Sequence, residues 1–483
     1  MKSIIVLVVI TLLFVLVACA SEMPMQPKHE VQDAEISLQE IERAPQNIRV
    51  AINTNGMLGL VHDAVSITGT GSFTVRGGDR VVQFAPGEIF TVSYNSNAQL
   101  WGAQLLYISP CDPSTHMLEI VGLVRNWPGG ATPQYRGSLQ LHRQGDGFVI
   151  VNELCLEYYL QAVIPSEMPT SHGLTAAKVQ AITARSFALY QMQTARMASF
   201  GAHVDDSVLS QVYNSIPPTS ISIAAVEATR GQVLSADGNL VIANFFSTSG
   251  GTTANFGEVW ARGSTFPSYS PAHLRAMPQF NMRQYMPGNL REEEYATLFF
   301  MDTTVPGFES QFPWFRWQVS LNAAQLTHSI NANIGARQAA NPALIQLLDT
   351  DNTPISGTVH SIGELNAIEI IARGGGGNIM EIIVCGSAAR VRVRTEFNIR
   401  TLLAPGYVPV IRHDNSQVAG LRLLPSAFFA LRQYGNMFYF YGGGNGHGVG
   451  MSQNGVRALV DMGLCHLQIL AHYYPGTMVV TLP

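Results

Sequence analysis

Glu167 is a lone acidic residue in an apolar turn, with Val163, Ile164 and Pro165 before it and Met168 and Pro169 after it. A carboxyl among Pro, Ile and Met is poorly solvated, which raises its pKa and keeps a proton on it near neutrality. That is the property a general acid needs. The competing reading is a carboxylate exposed at a helix entrance, where it only complements the dipole. Two further segments carry polar groups in unusual company. Ser247-Thr248-Ser249-Gly250-Gly251 follows an apolar run from Val241 to Phe246 and breaks into a glycine turn. Hydroxyls and free backbone N–H groups on such a turn suit sugar hydroxyls or an oxyanion, and they equally suit a self-capped turn. The run from Tyr441 to Gln453 is dense in glycine and holds one titratable side chain, His447. Glycine there brings backbone close to another segment or to a ligand, and His447 reads as a structural hydrogen-bonding group or a catalyst.

Other chemistries find no support. The Ser/Gly turn lacks a G-x-S-x-G elbow. The glycine run lacks G-x-G-x-x-G, and Gly374–Gly377 has no following Lys-Ser/Thr, so neither cradles a nucleotide. Cys111, Cys155, Cys385 and Cys465 form no C-x-x-C pair, which argues against a zinc ribbon or redox dithiol and for buried free thiols. A net charge of -5 argues against nucleic acid as a partner.

The elements that must position these residues are mostly strands. Val65–Thr68, Phe73–Arg76 and Val81–Phe84 read as strands around Gly-rich turns, and Leu139–His142 with Phe148–Val151 form a hairpin about Gln144–Gly147. A long helix is expected over Leu174–Ser199, with Leu174, Ala177, Ala181, Ala184 and Ala188 on one packing face. Gln180 and Arg185 lie inside it, as structural partners or substrate contacts. Residues 264–290 read as loop, Arg291–Met301 as a short helix, Trp314–Val319 as a strand, and Ala323–Asn331 and Asn341–Asp349 as helical. Ile368–Ala372 and Ile379–Val384 form a hairpin, and Ser452 caps a helix running to about Met462. The expected fold is α+β, mostly β, with one long Ala-rich helix flanking an active-site cleft. At 483 residues with 47% hydrophobic and 13% charged residues, several subdomains with ample core are expected.

At the N-terminus, Lys2 precedes an uncharged apolar run from Ile4 to Ala18, short for a membrane span of about 20 residues. Leu16-Val17-Ala18-Cys19 looks like a lipobox that makes Cys19 a diacylated anchor; the alternative is an uncleaved signal anchor. The expected division is a signal peptide over 1–19, a tether over 20–45 and a β subdomain over 46–150. A catalytic subdomain follows over 151–263, then an irregular insertion over 264–350 and a C-terminal β subdomain over 351–483.

Three blocks resemble the SpoIID/LytB family of bacterial cell-wall proteins, in the family's order. The first holds Glu157, Tyr159, Leu160, Val163, Pro165, Glu167, Met168, Pro169, Lys178, Gln180, Ala181, Ala184, Arg185, Ala188 and Leu189. The second is Phe245–Trp260, and the third joins Gly446–Leu459 to His472–Thr477. The resemblance spans roughly 46–483 and is weakest from about 265 to 345. It implies a peptidoglycan lytic transglycosylase with Glu167 as its single catalytic group, acting on glycan stripped of stem peptides, with an amidase as partner. It makes Gln180, Arg185, Ser247, Ser249, Gly250, His447 and Gln453 substrate contacts. A lipid anchor on Cys19 would hold such an enzyme at the outer face of the cytoplasmic membrane. The zinc site of some members needs two cysteines missing from Gly201–Tyr213, where His203 stands alone, so no metal and no cofactor are expected. Two alternatives accompany this reading. One is a non-catalytic glycan binder that modulates an amidase. The other is a hydrolase with a second carboxylate from Asp205, Asp206 or Glu258.

Overall fold

The computed structural model describes residues 35–41, 47–57, 59–94, 104–125, 132–194 and 196–482. The expected signal peptide with Cys19, and the tether as far as Ala34, lie outside the described residues. The next stretch is folded. Ile36–Ser37 pairs with Asn239–Leu240, and one helical turn, α1 (Leu38–Ile41), follows. Ile36 and Ile41 are both buried, so this part of the presumed tether is seated on the protein through two apolar anchors.

The fold is α+β with strands predominating. Asn47–Ile52, Gly147–Cys155, Ser138–Gln144, Leu105–Pro110, Phe73–Gly77 and Arg80–Phe84 succeed one another in one sheet. The hairpin about Gln144–Gly147 has the register its turn chemistry implies, with Gln144 opposite Gly147. A smaller sheet containing Ala64–Gly69 and Phe90–Ser93 packs nearby. Gly147–Cys155 runs straight into α2 (Leu156–Glu167), which ends at Glu167, and a turn of 3-10 helix over Thr170–His172 leads into α3 (Gly173–Thr194). The carboxyl therefore sits at the end of one helix rather than at the mouth of the next. The expected helix is α3, five residues shorter at its C-terminus and buried almost all round, with Leu174 alone of the five face residues exposed. Central burial needs small residues on several faces, and the alanines supply them.

After α4 (Ser220–Ala228), residues 264–290 run without regular structure as expected, and α5 (Glu293–Met301) follows. Trp317–Asn322 forms a strand, displaced from the expected Trp314–Val319 because Pro313 starts a 3-10 turn. Capped by Asn322, α6 (Ala323–Ala340) extends past the expected Asn331. The helix expected over Asn341–Asp349 is a strand, Ile345–Leu348, paired with Arg390–Arg394. Tertiary pairing overrides local propensity there. The Leu365–Arg373 and Ile379–Gly386 hairpin and α7 (Glu396–Leu402) complete a second apolar core drawn from Trp317 to Phe440. The first core runs from the N-terminal strands through α2 and α3 to the final helices α8 (Gln453–Asp461) and α9 (His466–Tyr473). Cys111 and Cys465 are exposed and Cys155 and Cys385 half-buried, all four as free thiols, so the expected burial does not hold. No described helix is long and apolar enough to cross a membrane.

Candidate active site

Glu167 gains its setting from three pieces of chain. The end of α2 supplies the carboxyl at the negative pole of a helix, which disfavours ionisation. A strap over Gln211–Asn214 is pegged across it. The Tyr159 hydroxyl donates to Gln211 Oε1 (3.1 Å), Gln211 Nε2 donates to the Ala184 carbonyl (3.2 Å), and the Tyr213 hydroxyl donates to Asn152 Oδ1 (3.0 Å). The Asn214 N–H donates to the Ser166 hydroxyl at 3.2 Å. These pegs aim the Val212 N–H at Glu167 Oε1, 2.6 Å away. From 286 residues further along, Gln453 Nε2 donates to Oε2 at 3.1 Å. Both bonds favour the carboxylate, yet burial outweighs them and the pKa is pushed up to about 7. Glu167 keeps a partly exposed edge, whereas Gln453 is nearly covered.

The second and third sequence blocks form one unit. Phe245–Phe246 pairs in parallel with Met451–Ser452, and Thr248 and Ala254 bridge to Asn445 and Val449. Glycine density here serves chain against chain. A Cβ on Gly250 would lie 2.6 Å from the Gly443 carbonyl carbon, too close for any other residue. Ser452 caps α8, its hydroxyl accepting the Gly455 N–H at 3.3 Å. Asn454 donates to the Ser247 carbonyl through its backbone N–H and to the Thr248 hydroxyl through its side-chain amide.

The other expected site residues divide by access. Ser247 is partly exposed; Ser249 and Gly250 are buried beneath it. Both ring nitrogens of His447 are engaged. Nδ1 accepts the Val449 N–H at 3.0 Å and Nε2 donates to the Phe245 carbonyl at 3.0 Å. The ring lies between Phe246 and Trp260, and burial pushes its pKa down to about 3, so it stays neutral. That is the structural role of the two readings. Arg185 and Gln180, expected at the substrate, lie inside the protein at 1% and 0% exposure. Arg185 forms a bidentate pair with Glu157 (2.8 and 2.7 Å) and donates to the Gln232 carbonyl, which ties α3 to α2. His203 Nδ1 accepts the Arg49 N–H at 3.0 Å.

The carboxyls proposed for a second role are committed elsewhere. Asp206 is buried against Arg125 (2.5 Å) and Asn53. Asp205 holds Ser207, and Glu258 holds Arg291 and the Gly375 N–H. One carboxyl escaped the sequence reading. Glu309, at 0% exposure, has its pKa pushed up to about 7 by burial and faces Ser249 and Ser452. Nothing in Phe308–Phe312 marks it, since its partners are 60 and 143 residues away. A cleft of about 270 Å³ lined by Thr252, Phe280, Met286 and Gly376 has no titratable side chain in its wall and lies apart from Glu167.

Comparison with known proteins matches the segment that holds Glu167, α2 and α3. Residues 144–235 match the family described as SpoIID, stage II sporulation protein. The chain is 26% identical over 318 residues to the amidase enhancer of Bacillus subtilis, covering 66% of this chain and 40% of that protein. It is 25% identical over 342 residues to stage II sporulation protein D of Bacillus amyloliquefaciens, covering 68% of this chain and 74% of that one. Its Bacillus subtilis counterpart is 36% identical over 124 residues, covering 23% and 36%. The match through α2 and α3, and the relatives that extend it, make this chain similar to SpoIID over 144–235 and to these cell-wall proteins over about two thirds of its length.

Proposed function

We propose that the protein is a lytic transglycosylase of peptidoglycan, cutting between N-acetylmuramic acid and N-acetylglucosamine. The observation that carries this reading is Glu167, a half-buried residue whose carboxyl has a pKa near 7 and two donors on its oxygens. Protonated, it donates to the glycosidic oxygen. The carboxylate left behind is the form that the Val212 N–H and Gln453 amide stabilise, so both bonds strengthen as charge develops. It then takes the proton of the muramoyl C6 hydroxyl as that oxygen attacks C1 and closes a 1,6-anhydro ring. One group acts as acid and then as base. A hydrolase would need a second free carboxyl about 5 Å away, or about 6.5–9.5 Å for inversion. Asp205, Asp206 and Glu258 are all bound to other groups, and Glu309 is sealed from solvent, which supports the one-carboxyl lyase.

Glycan already stripped of its peptides is the proposed substrate, with an amidase acting beforehand and a diacylated Cys19 holding the enzyme outside the cytoplasmic membrane. The name of the amidase enhancer favours a second reading, a glycan binder that assists an amidase without cleaving. Intact protein and Glu167→Gln, incubated with peptide-free strands and analysed by mass spectrometry, separate these. Anhydro ends from the intact protein alone support the lyase. Reducing ends point to a hydrolase, and binding without cleavage to the enhancer.

A further inference from the structure

Glu309 lies in the loop between α5 and α6, in the stretch where resemblance to the family is weakest. Its carboxyl collects three donors. The Ser249 N–H (2.9 Å) and the Ser452 hydroxyl (2.7 Å) reach Oε2, and the Ser249 hydroxyl (2.5 Å) reaches Oε1. The proton on Ser452 has little choice of direction. Its oxygen already accepts the Gly455 N–H at 3.3 Å and the Ser249 N–H at 3.1 Å, which occupies both lone pairs. The hydroxyl must donate, and Glu309 is the near acceptor; the Ser247 carbonyl is 3.5 Å off. Position 455 is glycine for the same reason, since a Cβ there would stand 2.8 Å from Glu309 Oε1 and 1.9 Å from the Tyr473 hydroxyl.

Ser452 is followed directly by Gln453, whose amide holds Glu167, and Ser249 belongs to the turn that carries Ser247. We propose that Glu309 is the positioning residue of this site, clamping the Ser247–Gly251 turn to the start of α8 and so aiming the Gln453 amide at Glu167. It touches no substrate. A carboxyl suits the task because three donors converge on it and its two oxygens offer about four acceptor positions. The proposal rests on Glu167 being the reacting group, and its first readout does not need turnover.

That readout is the titration of Glu167 by carbon-13 NMR of carboxyl-labelled glutamate in the intact chain and in Glu309→Gln, Glu309→Asp and Glu309→Ala. A glutamine keeps the reach: its carbonyl takes the place of Oε2, and its amide donates to the Ser249 hydroxyl, whose own proton turns away. Glu167 should then titrate as in the intact chain, and kcat should be retained. Aspartate is one methylene short and alanine has no acceptor. Both should release Gln453, raise the Glu167 titration by about one unit and lower kcat by about 10²-fold. An unmoved Glu167 titration in Glu309→Asp, or a glutamine as damaging as alanine, overturns the proposal. Should Glu309→Ala not fold, the Asp and Gln variants decide alone. If the intact chain cleaves no glycan, the lyase reading falls, while the Glu167 titration still tests the clamp.

Discussion

Glu167 and Glu309 are two carboxyls with one electrostatic signature and two situations. Burial lifts both to about 7, and each is held by one of two consecutive residues, Gln453 and Ser452. The first belongs to a half-buried residue and has two donors; the second has three donors and no exposure. Access, rather than the displaced pKa, separates a group that can react from one that can only hold. Perturbed carboxyls mark functional sites as a class, and here the class contains the proposed reacting group and its proposed support.

The comparison can be broken most directly at Glu167. Glu167→Gln should lower glycan cleavage by about 10²–10⁴-fold, with circular dichroism unchanged; cleavage that persists would remove Glu167 from the chemistry. In the intact protein, cleavage should fall as pH rises through about 7, where the donatable proton is lost. Glu309 should be felt in stability. Its folded pKa of about 7 exceeds the ordinary glutamate value of 4.5, so the folded state holds its proton more tightly. Stability is therefore present at low pH and declines as pH rises through that window, by about 3 kcal/mol for this group. Urea titrations at pH 5 and pH 8 should show the decline in the intact protein and about half of it in Glu309→Gln, the rest belonging to Glu167; an equal decline in both would mean Glu309 ionises freely.

Gln453→Leu sharpens the contrast from the other side. With one donor gone, the high-pH limb of the pH–rate profile should move up by about one unit, and a fixed limb would show that the amide does not hold the carboxylate. Ser452→Ala should cost about 1 kcal/mol through the lost helix cap, measured by denaturant midpoint, and an unaltered midpoint would show the cap to be dispensable.

Glu167, Ser452 and the Ser/Gly turn stood out because their chemistry is local: an acid among apolar residues, a serine before a helix, hydroxyls before glycines; Gln453 came only with the resemblance, as a substrate contact, and its bond to Glu167 spans 286 residues. The hairpin about Gln144–Gly147 was legible for the same reason. Glu309 was not, because its meaning comes from residues far along the chain. Ile345–Leu348 shows the same effect in the fold, taking strand geometry from Arg390–Arg394 against its local pattern. For Arg185 and Gln180, residue type left structural and substrate roles open and the resemblance pointed to the groove, whereas both side chains are buried inside the protein.

The parallel pairing of Phe245–Phe246 with Met451–Ser452 also imposes an order of events in time. A nascent chain translated as far as the Glu309 loop already possesses its acid and the Val212 strap, yet the amide that completes the site is still to be made. Contacts at this sequence distance form late because loop closure must come first. On the proposed lyase reading, competence to cut arrives with the C-terminal helices, and a chain interrupted before Gln453 carries Glu167 without the amide that bonds it.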